Sequence, residues 1–84
     1  MQRQVGPATL ELTQRNGRFY LNASVKMNGE VWETVAVFPP DVEEEAHYQF
    51  ERIQTPTDLE DLVRAWTDEE TWESYQNFRR EYGF

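Results

Sequence analysis

"TQRNGRFY" (residues 13–20) and "KMNGEV" (residues 26–31) decide how this chain is read. Each holds an Asn-Gly pair between runs in which apolar and polar residues alternate. Asn-Gly supplies the two positive-φ residues of a type I′ turn, a strong hairpin signal. Asn16-Gly17 therefore joins a strand near 8–14 to one near 18–27, and Asn28-Gly29 joins that to one near 30–38.

Counting outward from two-residue turns gives the register. Leu12 then faces Leu21, and Leu10 faces Ala23. In the second hairpin Val25 faces Trp32, Leu21 faces Ala36 and Phe19 faces Phe38. Side chains alternate along a strand, so all these residues share one face, and a one-residue slip would scatter them. The opposite face holds Thr9, Glu11, Thr13, Tyr20, Asn22, Ser24, Lys26, Val31, Glu33, Val35 and Val37. Tyr20, Val35 and Val37 would make a modest apolar patch of the kind that marks interfaces. An ordinary half-solvated face, rich in β-branched residues suited to strands, is the preferred reading.

Pro39-Pro40 ends the third strand, because proline donates nothing to a ladder. Beyond it, "AHYQFERI" alternates Tyr48 and Phe50, which favours a fourth strand over about 46–53 with "PPDVEEE" as an acidic loop. The alternative is a helix capped by Asp41 with Glu44 at its third position, which leaves Tyr48 in water. "TPTDLEDLVRAW" predicts a helix over about 56–66: Thr55 caps, Pro56 opens and Asp58 sits at N3. Leu59, Leu62, Val63 and Trp66 give it one packing face. A second helix is expected over about 68–82, with a Thr67-x-x-Glu70 capping box and Gly83 as its stop. Its stripe of Trp72, Tyr75, Phe78 and Tyr82 reads as core, although Tyr82 and Phe84 lie near the terminus and could be free. The expected fold is one α+β domain spanning residues 1–84. A three- or four-stranded antiparallel meander is packed on one face by two C-terminal helices.

The 84 residues carry a net charge of −8. Residues 1–40 hold four bases against three acids, and residues 41–84 hold four against thirteen. Long-range repulsion disfavours direct binding to nucleic acid or an anionic membrane, and favours a basic partner. Cysteine is absent, which excludes disulfides and thiolate chemistry. The start has no apolar signal-peptide core and the longest apolar run is "VAVF", so a soluble, cytoplasmic protein is expected. His47, the one histidine, has only glutamates and Tyr48 nearby in sequence and reads as a surface residue. No phosphate loop, nucleophile elbow, nucleotide fingerprint or calcium loop occurs. Neither an enzyme nor a bound metal or cofactor is expected.

The acids carry the functional expectation. Glu69, Glu70, Glu73 and Glu81 fall opposite the aromatic stripe of the last helix, with Asp68 at its start. Asp58, Glu60 and Asp61 avoid the apolar side of the preceding helix, and Asp41, Glu43, Glu44 and Glu45 crowd the middle of the chain. Acids in first turns complement helix dipoles, Glu60 can pair with Arg64 at i,i+4, and negative charge aids solubility. Thirteen acids against four bases exceed those needs, and uncompensated charge destabilises a small domain. Acids three or four residues apart on a helix rise by about 4.5–6 Å, commensurate with the roughly 3.4 Å rise between phosphates of one strand.

In length, acidity and compact α+β reading the chain resembles the small phage-encoded inhibitors: anti-CRISPR proteins, anti-restriction DNA mimics and uracil-glycosylase inhibitors. That resemblance implies stoichiometric inhibition of a nucleic-acid-binding enzyme or complex, no cofactor, and action in the host cytoplasm. The expected partner surface comprises the twelve acids just named. The alternative is an accessory interaction domain that docks through the Tyr20/Val35/Val37 face or by strand addition at an edge.

Overall fold

The computed structural model describes all residues from Met1 to Phe84. Four strands, β1 (Gln2–Val5), β2 (Ala8–Arg15), β3 (Arg18–Met27) and β4 (Glu30–Phe38), form one antiparallel sheet in the order β1-β2-β3-β4. A 3-10 turn at Pro40–Val42 leads into helix α1 (Glu43–Arg52), followed by α2 (Pro56–Trp66) and α3 (Glu69–Tyr82). No helix is long and apolar enough to cross a membrane.

The register follows from the turns. Asn16, Gly17, Asn28 and Gly29 all have positive φ, as a type I′ turn requires of both its central residues. Leu12 pairs with Leu21, Leu10 with Ala23, Val25 with Trp32, Leu21 with Ala36 and Phe19 with Phe38. Every one of these side chains is buried on a single face.

The fourth strand is not the one expected. It is β1, paired to β2 with Val5 opposite Ala8 across Gly6-Pro7, where Gly6 takes φ +58. "QRQV" has one apolar residue and no alternation to betray it. Its inward position, Arg3, reaches over the sheet. The guanidinium donates to the carbonyls of Phe50, Glu51 and Ile53 and lies 5.1 Å from the Phe50 ring. Arg3 thus holds the C-terminus of α1, where orphan carbonyls and the helix dipole favour a cation.

Residues 43–52 are helix, not strand. A strand would place Ile53 on the side opposite Phe50. A helix brings Ala46, Gln49, Phe50 and Ile53, at i, i+3, i+4 and i+7, onto one buried stripe. Tyr48 is left 59% exposed. α1 lies mainly over β2 and β3, and His47 meets Phe19 edge-on at 5.1 Å. Asp41 makes no cap, because Val42 occupies the N-cap position. Glu43, Glu44 and Glu45 fill the first turn instead, where carboxylates face the positive helix end.

α2 starts as expected. The Asp58 backbone N–H donates to Thr55 Oγ1 and the Thr55 N–H donates to Asp58 Oδ2, each at 3.1 Å. α3 starts one residue later than the predicted box. Asp68 is its cap, accepting from the Thr71 N–H at 2.7 Å, while Thr67 closes α2 onto the Val63 carbonyl. α3 packs on α2 and β4. Tyr75 is fully buried beside Trp32, ring centroids 4.8 Å apart, and its hydroxyl donates to the Pro56 carbonyl at 3.0 Å. Phe84 is not free. It folds back on Tyr75 and Phe78, and Arg79 Nε donates to its carbonyl at 2.6 Å, while Tyr82 lies against Phe78.

Replacing Arg3 by alanine is expected to lower the unfolding free energy by about 2 kcal/mol, since several charge-assisted bonds to α1 are lost. Arg3→Lys recovers only part, because an ammonium lacks the guanidinium fork. Arg18→Ala, at an exposed turn, shifts stability by no more than about 0.5 kcal/mol. Urea titration of the three variants decides the matter: equal losses at positions 3 and 18 would rule out the cap.

Candidate functional site

The twelve acids sort into two kinds. Some are engaged inside the fold. Asp58 is tied into the α2 cap, and its carboxyl is held below the usual 3.8 chiefly by the bond from the Gln54 N–H. Asp68 is held below 3.8 by Thr71, through its side chain and then its backbone. Glu45 accepts from Gln49 Nε2 at 2.7 Å. Glu60 pairs with Arg79 across the α2–α3 interface rather than with Arg64, which turns to Asp61 at 3.5 Å. The helical spacing suggested Glu60–Arg64, but Glu60 lies on the side of α2 facing α3.

The others are exposed and unpaired: Asp41, Glu43, Glu44, Glu69, Glu70, Glu73 and Glu81. Six of them form two patches, and Glu69 lies in neither. Asp41, Glu43 and Glu44 surround Pro40 at the start of α1. Glu70, Glu73 and Glu81 line one shallow depression along the flank of α3 that meets β4, with Ser74, Asn77 and Phe78 between them. The patches lie apart because α1 sits on β2 and β3, whereas α3 sits on α2 and β4.

The bases do little to neutralise these acids. Only Arg64 and Arg79 reach a carboxylate within ion-pair distance. Arg3 is bound to α1 carbonyls, Arg52 donates to Gln49 Oε1 at 2.7 Å, and Arg80 donates to Asn77 Oδ1 at 3.3 Å. Arg15 lies 5.2 Å from the Tyr20 ring on the open face of the sheet. Caps, amides and rings thus occupy guanidinium groups that could otherwise have screened the helices.

Two further acids join the α3 patch from the nearly neutral half of the sequence. Glu33, on β4, lines a second depression together with Asp68 and Glu70. Glu30, at the start of β4, lies by the end of α3, where its carboxylate raises the Tyr82 phenol to about 12. Nothing in the spacing of Glu30 and Glu33 foretells this. The packing of β4 against α3 creates it, together with the bond from Trp32 Nε1 to Ser74 Oγ at 3.1 Å.

No three His, Cys, Asp or Glu side chains converge as a metal site would require. The surface depressions are shallow, and the one on the open sheet face is lined mainly by polar residues such as Glu11, Asn22, Ser24 and Glu33. No family model, curated protein or solved structure matches the chain.

The two kinds of acid separate by titration. A carboxyl depressed in the folded state adds stability above its unfolded pKa, and that stability is lost as pH falls through the folded value. Asp58→Asn and Asp68→Asn, which keep an acceptor but not the charge, are expected to flatten the loss of Tm below pH 3.8. Joint replacement of Glu70, Glu73 and Glu81 by glutamine is expected to leave Tm at neutral pH unchanged or raised, because it relieves repulsion. A lowered Tm in that triple variant would make these acids structural.

Proposed function

We propose that this chain is a non-enzymatic binding protein that occupies the basic nucleic-acid-recognition surface of an enzyme or complex and so inhibits it. The observation that carries the reading is the row of exposed, unneutralised carboxylates on α3, extended by Glu33 from β4. From Glu70 to Glu81 this row covers about 16 Å of helix at 1.5 Å per residue.

The chemistry is substitution of one anion for another. An arginine fork binds a carboxylate with the same parallel pair of bonds that it offers a phosphate. A cleft shaped for a phosphate backbone therefore accepts carboxylates carried on a rigid helix, here about 4.5 Å apart along the axis from Glu70 to Glu73 and about 12 Å from Glu73 to Glu81. α3 is rigid because Tyr75 and Phe78 anchor it in the core and Asp68 and Gly83 close its ends. The net charge of −8 draws a cationic partner in at a distance and makes the association fast and salt-sensitive. It also keeps the chain off nucleic acid itself. The extra repulsion within so small a domain is the stability given up for that attraction.

Immobilised protein exposed to bacterial lysate is expected to retain nucleic-acid-binding proteins at low salt and release them at high salt. Duplex DNA should displace them by competition. Glu70→Lys, Glu73→Lys and Glu81→Lys together should abolish retention with Tm preserved. Retention that resists both salt and this triple change would overturn the reading.

A further inference from the structure

β4 is one free edge of the sheet. Met27 and Glu30 flank the Asn28-Gly29 turn and exchange both of their backbone bonds in a two-residue hairpin. Alternation then turns Trp32, Thr34, Ala36 and Phe38 toward β3, and directs the N–H and C=O groups of Val31, Glu33, Val35 and Val37 outward. No backbone group elsewhere in the chain bonds to them. Their side chains lie on the open face, where Val31 is 56%, Val35 41% and Val37 39% exposed. Proteins usually blunt such an edge with charged side chains, proline or a bulge; of the outward residues here only Glu33 is charged. Here the strand runs unbroken to Phe38, and Pro39-Pro40 comes only after it.

Charge selects what can pair there. Glu33, Asp68 and Glu70 surround the start of the edge, beside Val31 and Thr71. A second copy of β4 would set these acids against their own kind, on chains that each carry −8. A cationic strand would neutralise Asp68 and Glu70 on the helix side, while Glu33 stays at the rim of the open face.

We propose that the open edge of β4 receives, as a fifth antiparallel or parallel strand, an extended segment of the basic partner in which apolar and lysine or arginine residues alternate. The apolar side chains lie beside Val31, Val35 and Val37 on the open face. The basic ones fall on the helix side, within reach of Asp68 and Glu70. The inference rests on reading the protein as a ligand of a basic protein. It adds that main-chain bonds, and not charge alone, make the contact.

The probe is a short capped peptide alternating lysine and valine, titrated at low ionic strength into isotopically labelled protein. The amide protons of Val31, Glu33, Val35 and Val37 are expected to move downfield and gain protection from exchange. Val35→Pro removes one outward N–H without touching the β3 ladder, and should weaken the peptide about tenfold. Should that variant fold poorly, the wild-type protein still gives the answer. A peptide N-methylated on the amides that would face β4 should bind about tenfold more weakly than the unmethylated one. An alternating glutamate–valine peptide should not bind.

If the methylated peptide binds equally well and shifts are confined to α3, the edge inference falls while the acidic-face reading stands. If the acidic peptide binds as tightly as the basic one, the charge selection is wrong and the proposal falls. A dimer of the free protein that Val35→Pro dissociates would show that a second copy takes the edge, and would likewise overturn it. Failure of the lysate experiment together with specific edge binding of the basic peptide would remove the nucleic-acid-binding partner and leave the edge site.

Discussion

A two-residue reversal preserves parity across a hairpin, because the residues on either side of it face each other and side chains alternate thereafter. Three such reversals follow one another here, at Gly6-Pro7, Asn16-Gly17 and Asn28-Gly29. All four strands therefore present their inward residues on the same side. The cross-strand rows are mainly apolar, from Ala8 and Val25 with Trp32 to Phe19 with Phe38, with Arg3, Gln14 and Thr34 as the polar members at the margins. One apolar face exists, and every helix must cover it. The other face is left to water. A side chain's burial in the sheet thus depends on its distance in sequence from an asparagine–glycine pair.

Coverage then divides the helices. Neighbouring strands lie about 4.8 Å apart, so four strands are wider than one helix of about 10 Å diameter. α1 takes β2 and β3, while α2 and α3 take the β4 side. Trp32, Phe38, Trp66 and Tyr75 make the second contact an aromatic one, with ring centroids at 4.8 and 4.3 Å. This division spreads the charge. The acids that open α1 end on one side of the molecule, those of α3 on another, and the guanidinium groups are drawn to carbonyls, amides and rings. Only Arg64 and Arg79 reach a carboxylate, so Asp41, Glu43 and Glu44 at the start of α1 and most of the acids on α3 stay exposed and unpaired.

The same packing brings a charged helix beside an unpaired strand. Backbone donors and acceptors along an edge have no preference among partners, and carboxylates alone have little shape. Side by side, as at Glu33, Asp68 and Glu70, they combine direction with sign.

Local chemistry written in the sequence determined the meander, its register, the inward residues and the start of α2. Each depends on dihedral preference or on groups three or four residues apart: Asn-Gly for the turns, Thr55 with Asp58 for the cap. The acidity of the second half was equally legible as composition. Only the tertiary structure decided the rest. β1 carries a single buried apolar residue, Val5, and exists because Ala8 and Leu10 leave a ladder to be paired, while its Arg3 reaches carbonyls some fifty positions away. Residues 43–52 alternate like a strand over Tyr48 and Phe50, yet the uncovered sheet over β2 and β3 demands a helix. Glu60 turned to Arg79 and not Arg64, and Glu30 and Glu33 joined α3, because element packing sets which charges meet. Turn and cap preferences act between neighbours and can be read in order. Burial and charge proximity act between segments distant in the chain, and exist only once the layers close.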